Sequence, residues 1–125
     1  MTLANLMSSK LSEMARGVLV VDENLKGIEP FLIKRNIRVV IPESGMKDQK
    51  IKETILPHRI FITNNAKDFI DDIISYEYGI ISTDNLKSKD PENLAKLISD
   101  VIIKYSLWSV HQFVITLKND GNHEF

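Results

Sequence analysis

"GVLVVDEN", residues 17–24, places four consecutive aliphatic residues (18–21) directly before an acidic and polar group (22–24). A strand that is apolar at every position has both faces buried, as in a parallel sheet covered by helices on both sides. Three later segments repeat this short apolar pattern: "IRVVI" (37–41), "RIFIT" (59–63) and "YGIIST" (78–83). The stretch therefore predicts an α/β fold built on buried parallel strands.

Helical patterns separate these strands. The clearest helix should begin at Pro91, with Asp90 as its N-cap, and its apolar residues recur from Leu94 to Tyr105. Shorter helices are predicted over 25–36, 47–56 (with Asp48 as a possible cap) and 66–75, and a fifth strand over 112–117, followed by a turn and a polar tail. The alternation predicts a three-layer sandwich with a mainly parallel central sheet of about five strands.

The N-terminal segment has its own pattern. Apolar residues recur there at helical spacing: Leu3, Leu6, Met7, Leu11 and Met14. We therefore predict an amphipathic helix over 2–15 that ends near Gly17. The chain would consist of this helix (1–16) and a single domain (17–125). The apolar stripe would either shield an edge of the domain or form an oligomer contact.

Composition narrows the function classes. Lys and Arg together number 16 and Asp and Glu 17, so no global positive field steers nucleic acid to the protein. The chain has no cysteine, which excludes disulfides, thiolate zinc sites and a cysteine nucleophile. Its three histidines are isolated and lack metal-ligand spacing. No apolar run suits a signal peptide or a transmembrane helix, so we expect a soluble, cytoplasmic protein without a membrane partner.

Polar residues follow the predicted strands where each strand ends. They are Asp22, Glu23 and Asn24, then Glu43, then Thr63 to Asn65 with Asp68, and finally Asp84. Because the carboxyl ends of parallel strands meet at one edge of the sheet, these side chains should lie close together. Carboxylates so placed repel one another unless a cation neutralises them, and oxygen-only ligation suits Mg²⁺ or Mn²⁺. Each residue alone is also explained as a helix cap or turn residue, and Asp84 is interpreted as a loop residue.

Three motifs together suggest a family. "VLVVDENL", the acidic position that opens a helix at "MKDQKI", and "RIFITNNAKDF" resemble the PIN-like proteins related to the Mut7-C domain, a group of small nuclease-like domains. The resemblance covers roughly residues 18–82. It implies a PIN-like sheet and an acidic metal pocket in which Asp22, Asp48 and Asp68 are the metal carboxylates.

One position departs from the family pattern. Asn65 stands where the pattern has an aspartate, and one additional residue separates it from Asp68. An asparagine can coordinate a cation through its carbonyl oxygen, but it contributes no negative charge.

The leading hypothesis from the resemblance is a Mg²⁺- or Mn²⁺-dependent ribonuclease, which as a toxin-like component would have an antitoxin protein as partner. Its catalytic residues would be Asp22, Asp48, Asn65 and Asp68, with support from Glu23, Asn24 and Thr63. The substrate would be RNA.

Two alternatives remain. The first is a catalytically inactive PIN-like module that binds a protein partner or forms a homodimer, which Asn65 favours. The second is a receiver-like phosphoacceptor domain, suggested by the acidic pair Asp22 and Glu23. That hypothesis is the weakest, because an acceptor aspartate is expected at the end of the third strand, where the sequence has Thr63 and Asn64.

Overall fold

The computed structural model describes residues 18–86, 90–110, 112–118 and 123–124. The predicted N-terminal helix over 2–15 lies outside these residues, as does most of the turn predicted after the fifth strand. The strands are β1 (Val18–Val21), β2 (Arg38–Val40), β3 (Ile60–Thr63), β4 (Gly79–Ser82), β5 (Phe113–Leu117) and β6 (His123–Glu124).

The strands form one sheet in the order β2-β1-β3-β4-β5-β6. The first five run parallel, and the short β6 pairs antiparallel with β5. Val20 in β1 is in register with Val40 in β2 and Phe61 in β3. The predicted parallel α/β sheet is confirmed, and the end of the chain, predicted to be a polar tail, contributes a sixth strand.

Four α-helices and several 3₁₀ turns connect the strands. The α-helices are α1 (Glu29–Ile33), α2 (Asp48–Thr54), α3 (Ile73–Tyr76) and α4 (Pro91–Tyr105). Helix α4 begins as predicted, because the backbone N–H of Asn93 donates to Oδ1 of Asp90 at 3.0 Å and Pro91 takes the first helical position. No helix in the described part of the chain is long and apolar enough to cross a membrane.

Consecutive residues of each strand point to opposite faces of the sheet and so create two cores. Leu19 and Ile62 face the first core, which α1 and α4 cover. Val20 and Phe61 face the second core, which α2 and the segment after β3 cover. All four residues are buried. Helices on both sides of the sheet complete the predicted three-layer sandwich.

Two predicted helices are divided in the structure. The one predicted over 25–36 begins as a 3₁₀ turn (Glu23–Ile28) and restarts as α1, because Pro30 lacks an N–H and fits only in a first helical turn. The one predicted over 66–75 divides at Phe69, which separates two 3₁₀ turns and has a φ of −119°, far from the ordinary helical value. The Phe69 ring packs edge-on against Phe61, with ring centroids 4.7 Å apart. Tertiary packing therefore overrides helix propensity there.

The second core contains a tyrosine whose ionisation is linked to folding. Tyr78 is fully buried, and its hydroxyl donates to the backbone carbonyl of Phe69. Burial raises the pKa of the Tyr78 phenol well above its ordinary value, and the carboxylates of Asp72 and Asp71 raise it further. The folded state therefore keeps the phenol neutral at a pH where the unfolded chain loses the proton.

We expect folding stability to fall above pH about 10, by about 1.4 kcal/mol per pH unit for this group. Below that pH both states hold the proton, so the group adds no pH dependence. Urea unfolding of the wild type and of Tyr78→Phe at pH 8 and pH 11 measures this effect. The stability advantage of the wild type should shrink at pH 11, and equal pH slopes in the two proteins would contradict the assignment.

Candidate functional site

The strand order places a crevice between β1 and β3. The chain passes from β1 to β2 on one side of β1 and then to β3 on its other side, so the strand order reverses at β1. Doubly wound sheets bind ligands at such a reversal point, beyond the carboxyl ends of the strands. Asp22 follows β1 and Thr63 ends β3. The Thr63 hydroxyl donates to Oδ2 of Asp22 at 2.9 Å, so one hydrogen bond spans the reversal point.

Thr63 fixes more than the aspartate. Its side chain is completely buried, and its hydroxyl oxygen accepts the backbone N–H of Asn65 at 3.0 Å. The other oxygen of Asp22 accepts the backbone N–H of Asn24 at 3.2 Å, which caps the following 3₁₀ turn. Asp22 therefore acts as a turn cap, as its position after a strand also predicted, while its carboxylate is held at the end of the sheet.

A small acidic pocket lies at this place. Its volume is about 100 Å³, which leaves room for several water molecules. Four carboxylate-bearing residues line it: Asp22, Glu23, Glu43 and Asp48. The pocket floor is apolar and includes Phe61 and Phe69 from the second core. We refer to this cavity as the acidic pocket.

The structure brings together only part of the predicted metal triad. Asp22 and Asp48 both line the acidic pocket, but Asp68 is not among the residues that line it. Instead, the Asn65 side-chain amide donates to Oδ2 of the exposed Asp68. Asp48 is not the cap of α2, because the N-cap is Lys47 and Asp48 is the first helical residue. Asp48 nevertheless lines the same cavity as Asp22, which follows β1.

Glu43 lines the acidic pocket, and the sequence analysis named it as a residue after a strand end but left it out of the predicted metal and catalytic residues. It follows β2, as the sequence indicated, but it is absent from every motif of the family resemblance. A turn brings it to the pocket: the Met46 N–H donates to the Glu43 carbonyl at 3.0 Å, and Gly45 takes the left-handed φ of 82°. The "PESG" run was the available signal, since glycine is favoured at such a position.

Asp84 has a structural role, consistent with its interpretation as a loop residue. It lies in the turn after β4, and its carboxylate accepts the backbone N–H of Ala66 at 3.3 Å. This contact ties the segment after β3 to the end of β4.

Three lysines at and within the start of α2, at positions 47, 50 and 52, differ in their exposure. Lys47 and Lys50 are exposed, as expected for a solvated helix face. Lys52 is buried instead, and its ammonium pairs with Asp72 at 2.8 Å. Of these three lysines, Lys52 is therefore held within the fold, whereas Lys47 and Lys50 face solvent.

The acidic pocket has oxygen donors but no closed set of metal ligands in the part of the chain that the structure describes. Among the described residues, no three acidic or histidine side chains are grouped closely enough to hold one ion between them. Mg²⁺, however, commonly keeps several waters and is bound through one or two carboxylates together with substrate phosphates. Asp22 and Asp48 supply two such carboxylates, and the cavity has room for waters. The arrangement suits an open, water-rich site rather than a closed protein cage.

Comparisons with protein-family models, curated proteins and solved structures found no match to this chain. The PIN-like relationship therefore rests on the residues of the three motifs and stays a prediction.

The strand order 2-1-3-4-5 is shared by flavodoxin-like proteins and receiver domains. Order alone does not separate the receiver-like hypothesis from the others, but the residues weaken it. The end of β3 carries Thr63, whose hydroxyl is already engaged with Asp22 and Asn65. No carboxylate is present at that position to accept a phosphoryl group.

Thr63→Val tests the support of Asp22. Valine has nearly the shape of threonine but cannot hydrogen-bond, so the Asp22 carboxylate and the Asn65 N–H both lose a partner. Hydrogen bonds to charged groups contribute about 1.5–3 kcal/mol, and we expect a loss of stability of that order. Urea unfolding measures it, with Thr63→Ser as the matched control that keeps the hydroxyl. A Thr63→Val protein as stable as wild type would show that this hydrogen bond contributes nothing.

Proposed function

We propose that this protein is a PIN-like, Mg²⁺- or Mn²⁺-dependent ribonuclease whose active site is the acidic pocket. One observation carries the proposal: the Asp22 carboxylate is fixed by the buried Thr63 hydroxyl across the β1/β3 reversal point, in a pocket shared with Asp48. Ligands bind at such reversal points in doubly wound sheets. Oxygen-only donors at that place favour a hard divalent cation.

The residues that line the acidic pocket would have different roles in the reaction. Asp22 and Asp48 would hold the cation, and Glu43 and Glu23 line the same cavity, where either can accept a proton from water. A bound Mg²⁺ or Mn²⁺ supplies charge neutralisation at a phosphodiester and lowers the pKa of water. Lys47, which is exposed and adjoins Asp48 in the chain, would contact the phosphates of an RNA strand. An antitoxin protein would be the partner if the enzyme acts as a toxin.

Cleavage of a fluorescently labelled single-stranded RNA tests the proposal. We expect cleavage by the purified protein in millimolar Mg²⁺ or Mn²⁺ and none in the presence of EDTA. Equal cleavage with and without EDTA, or no cleavage with either metal, would contradict it.

A second candidate is a catalytically inactive PIN-like module that associates with a protein. The specific observation in its favour is that Asp68, a predicted metal ligand, pairs with Asn65 and does not line the acidic pocket. The module would show no cleavage, no stabilisation by metal, and association that increases with concentration in analytical ultracentrifugation.

A further inference from the structure

An open apolar groove runs along β2, the edge strand of the sheet. Its volume is about 560 Å³, and it is lined by five aliphatic and two polar residues: Val18, Ile33, Asn36, Ile37, Arg38, Val39 and Val40. Ile33 is 55% exposed and is one of the large hydrophobic residues that the described structure leaves open to solvent. One long side of β2 pairs with β1, and no described strand pairs with its other side. We call this surface the β2 groove.

The chain itself supplies an apolar segment next to this surface. Val18 lines the β2 groove and is preceded by 17 residues. The helix predicted over 2–15 would end three residues before Val18, and three residues of extended chain span at most about 11 Å. The end of the predicted helix would therefore be tethered within about 11 Å of Val18, which lines the β2 groove. A helix of this length is about 21 Å long, and its stripe of Leu3, Leu6, Met7, Leu11 and Met14 has to be covered.

We propose that the N-terminal helix, residues 2–15, docks its apolar stripe into the β2 groove of its own chain. Docking would remove the exposed Ile33 side chain and the apolar stripe from water at the same time. It would also cover an edge strand whose free backbone groups can otherwise pair with another chain. The occupant is intramolecular because the short connection holds the helix beside the groove at a high effective concentration.

A spin label placed in the β2 groove tests the docking. The chain has no cysteine, so Ile33→Cys introduces one unique labelling site at an exposed position. With a nitroxide there, we expect strong loss of the NMR methyl signals of Met7, Leu11 and Met14, restored when the nitroxide is reduced. The matched control is Ile74→Cys, which is 72% exposed on α3, over the opposite face of the sheet. The same signals should keep their intensity in that variant.

Two further samples distinguish the occupants. The first sample mixes two forms of the protein: isotope-labelled chain without a nitroxide, and unlabelled chain that carries the nitroxide. Signal loss in this mixture can arise only from contacts between copies, and it would overturn the proposal in favour of a second copy. Leu11→Asp places a charge in the stripe and should abolish the effect of the Ile33→Cys label. Unchanged Met7, Leu11 and Met14 signals in the Ile33→Cys protein would show that the segment lies elsewhere and would likewise overturn the proposal.

Discussion

Replacing Asp22 and Asp48 together by alanine is expected to reduce metal-dependent RNA cleavage by at least about 100-fold. Loss of groups that merely orient metal ligands typically costs 10–100-fold in metal affinity or activity, so loss of both proposed ligands should cost no less. Both side chains line the acidic pocket, and neither is buried in the core. The variant should therefore fold, and circular dichroism checks that it does. Initial rates of RNA cleavage at saturating Mg²⁺ measure the effect.

Two control variants make this experiment specific. Asp100→Asn changes an exposed carboxylate in the middle of α4 and should leave cleavage unchanged. Asp68→Asn distinguishes the ligand set implied by the family resemblance from the one that the structure assembles. Because Asp68 does not line the acidic pocket, its variant should retain most of the activity. Full cleavage by the Asp22→Ala, Asp48→Ala protein would refute the proposed active site.

Among substitutions that add a single methyl group to this sheet, Gly79→Ala is expected to cause the largest loss of stability. Gly79 begins β4 and is in register with Phe113 of β5, whose ring lies across the glycine. A Cβ atom at position 79 would lie 2.0 Å from Cε1 of Phe113. Phe113 is 8% exposed and packs in the first core, so its ring has little room to move. Overpacking of a core costs about 1–3 kcal/mol and sometimes more, and we expect the upper end or beyond.

Urea unfolding of Gly79→Ala measures this cost, and a second substitution tests its cause. Phe113→Leu should recover part of the stability in the double variant, since the clash is with the ring; a double-mutant cycle quantifies the coupling. Gly27→Ala is the matched control, because a Cβ there meets nothing within 4 Å. It should be neutral or slightly stabilising. A Gly79→Ala protein within about 0.5 kcal/mol of wild type would show that the sheet adjusts freely around Phe113.

The fold was predictable because its strands are buried on both faces. The apolar runs at 18–21 and 60–62 contain no polar residue for a solvent-facing position, so they fit a sheet covered on both sides. The start of α4 was equally clear, since Asp90 and Pro91 act locally through hydrogen bonding and a fixed φ. The segment 66–75 was misjudged because its path depends on the burial of Phe69 against Phe61, a contact between elements that no local pattern contains.

The candidate site was predictable where a residue adjoins a strand end. Asp22 and Thr63 directly follow or end neighbouring parallel strands, so their approach follows from the sheet. Asp68 is the last residue of a 3₁₀ turn that follows β3, and its carboxylate accepts a hydrogen bond from the Asn65 side chain. Glu43 reaches the pocket through a turn at Gly45 whose geometry depends on loop length. The positions of side chains at strand ends can thus be predicted from the sequence, whereas the positions of side chains on irregular turns cannot.

Thermal unfolding with and without millimolar Mn²⁺ tests the central claim, that the acidic pocket binds a divalent cation. The comparison uses the wild type, Asp22→Ala and the control Asp68→Asn. A ligand that binds only the folded state stabilises it by about 2.7 kcal/mol at 100 times its Kd, which raises the Tm of a domain of this size by several degrees. We predict that rise in the wild type and in Asp68→Asn and its loss in Asp22→Ala. A wild-type Tm that is the same with and without Mn²⁺ and Mg²⁺ would contradict the claim.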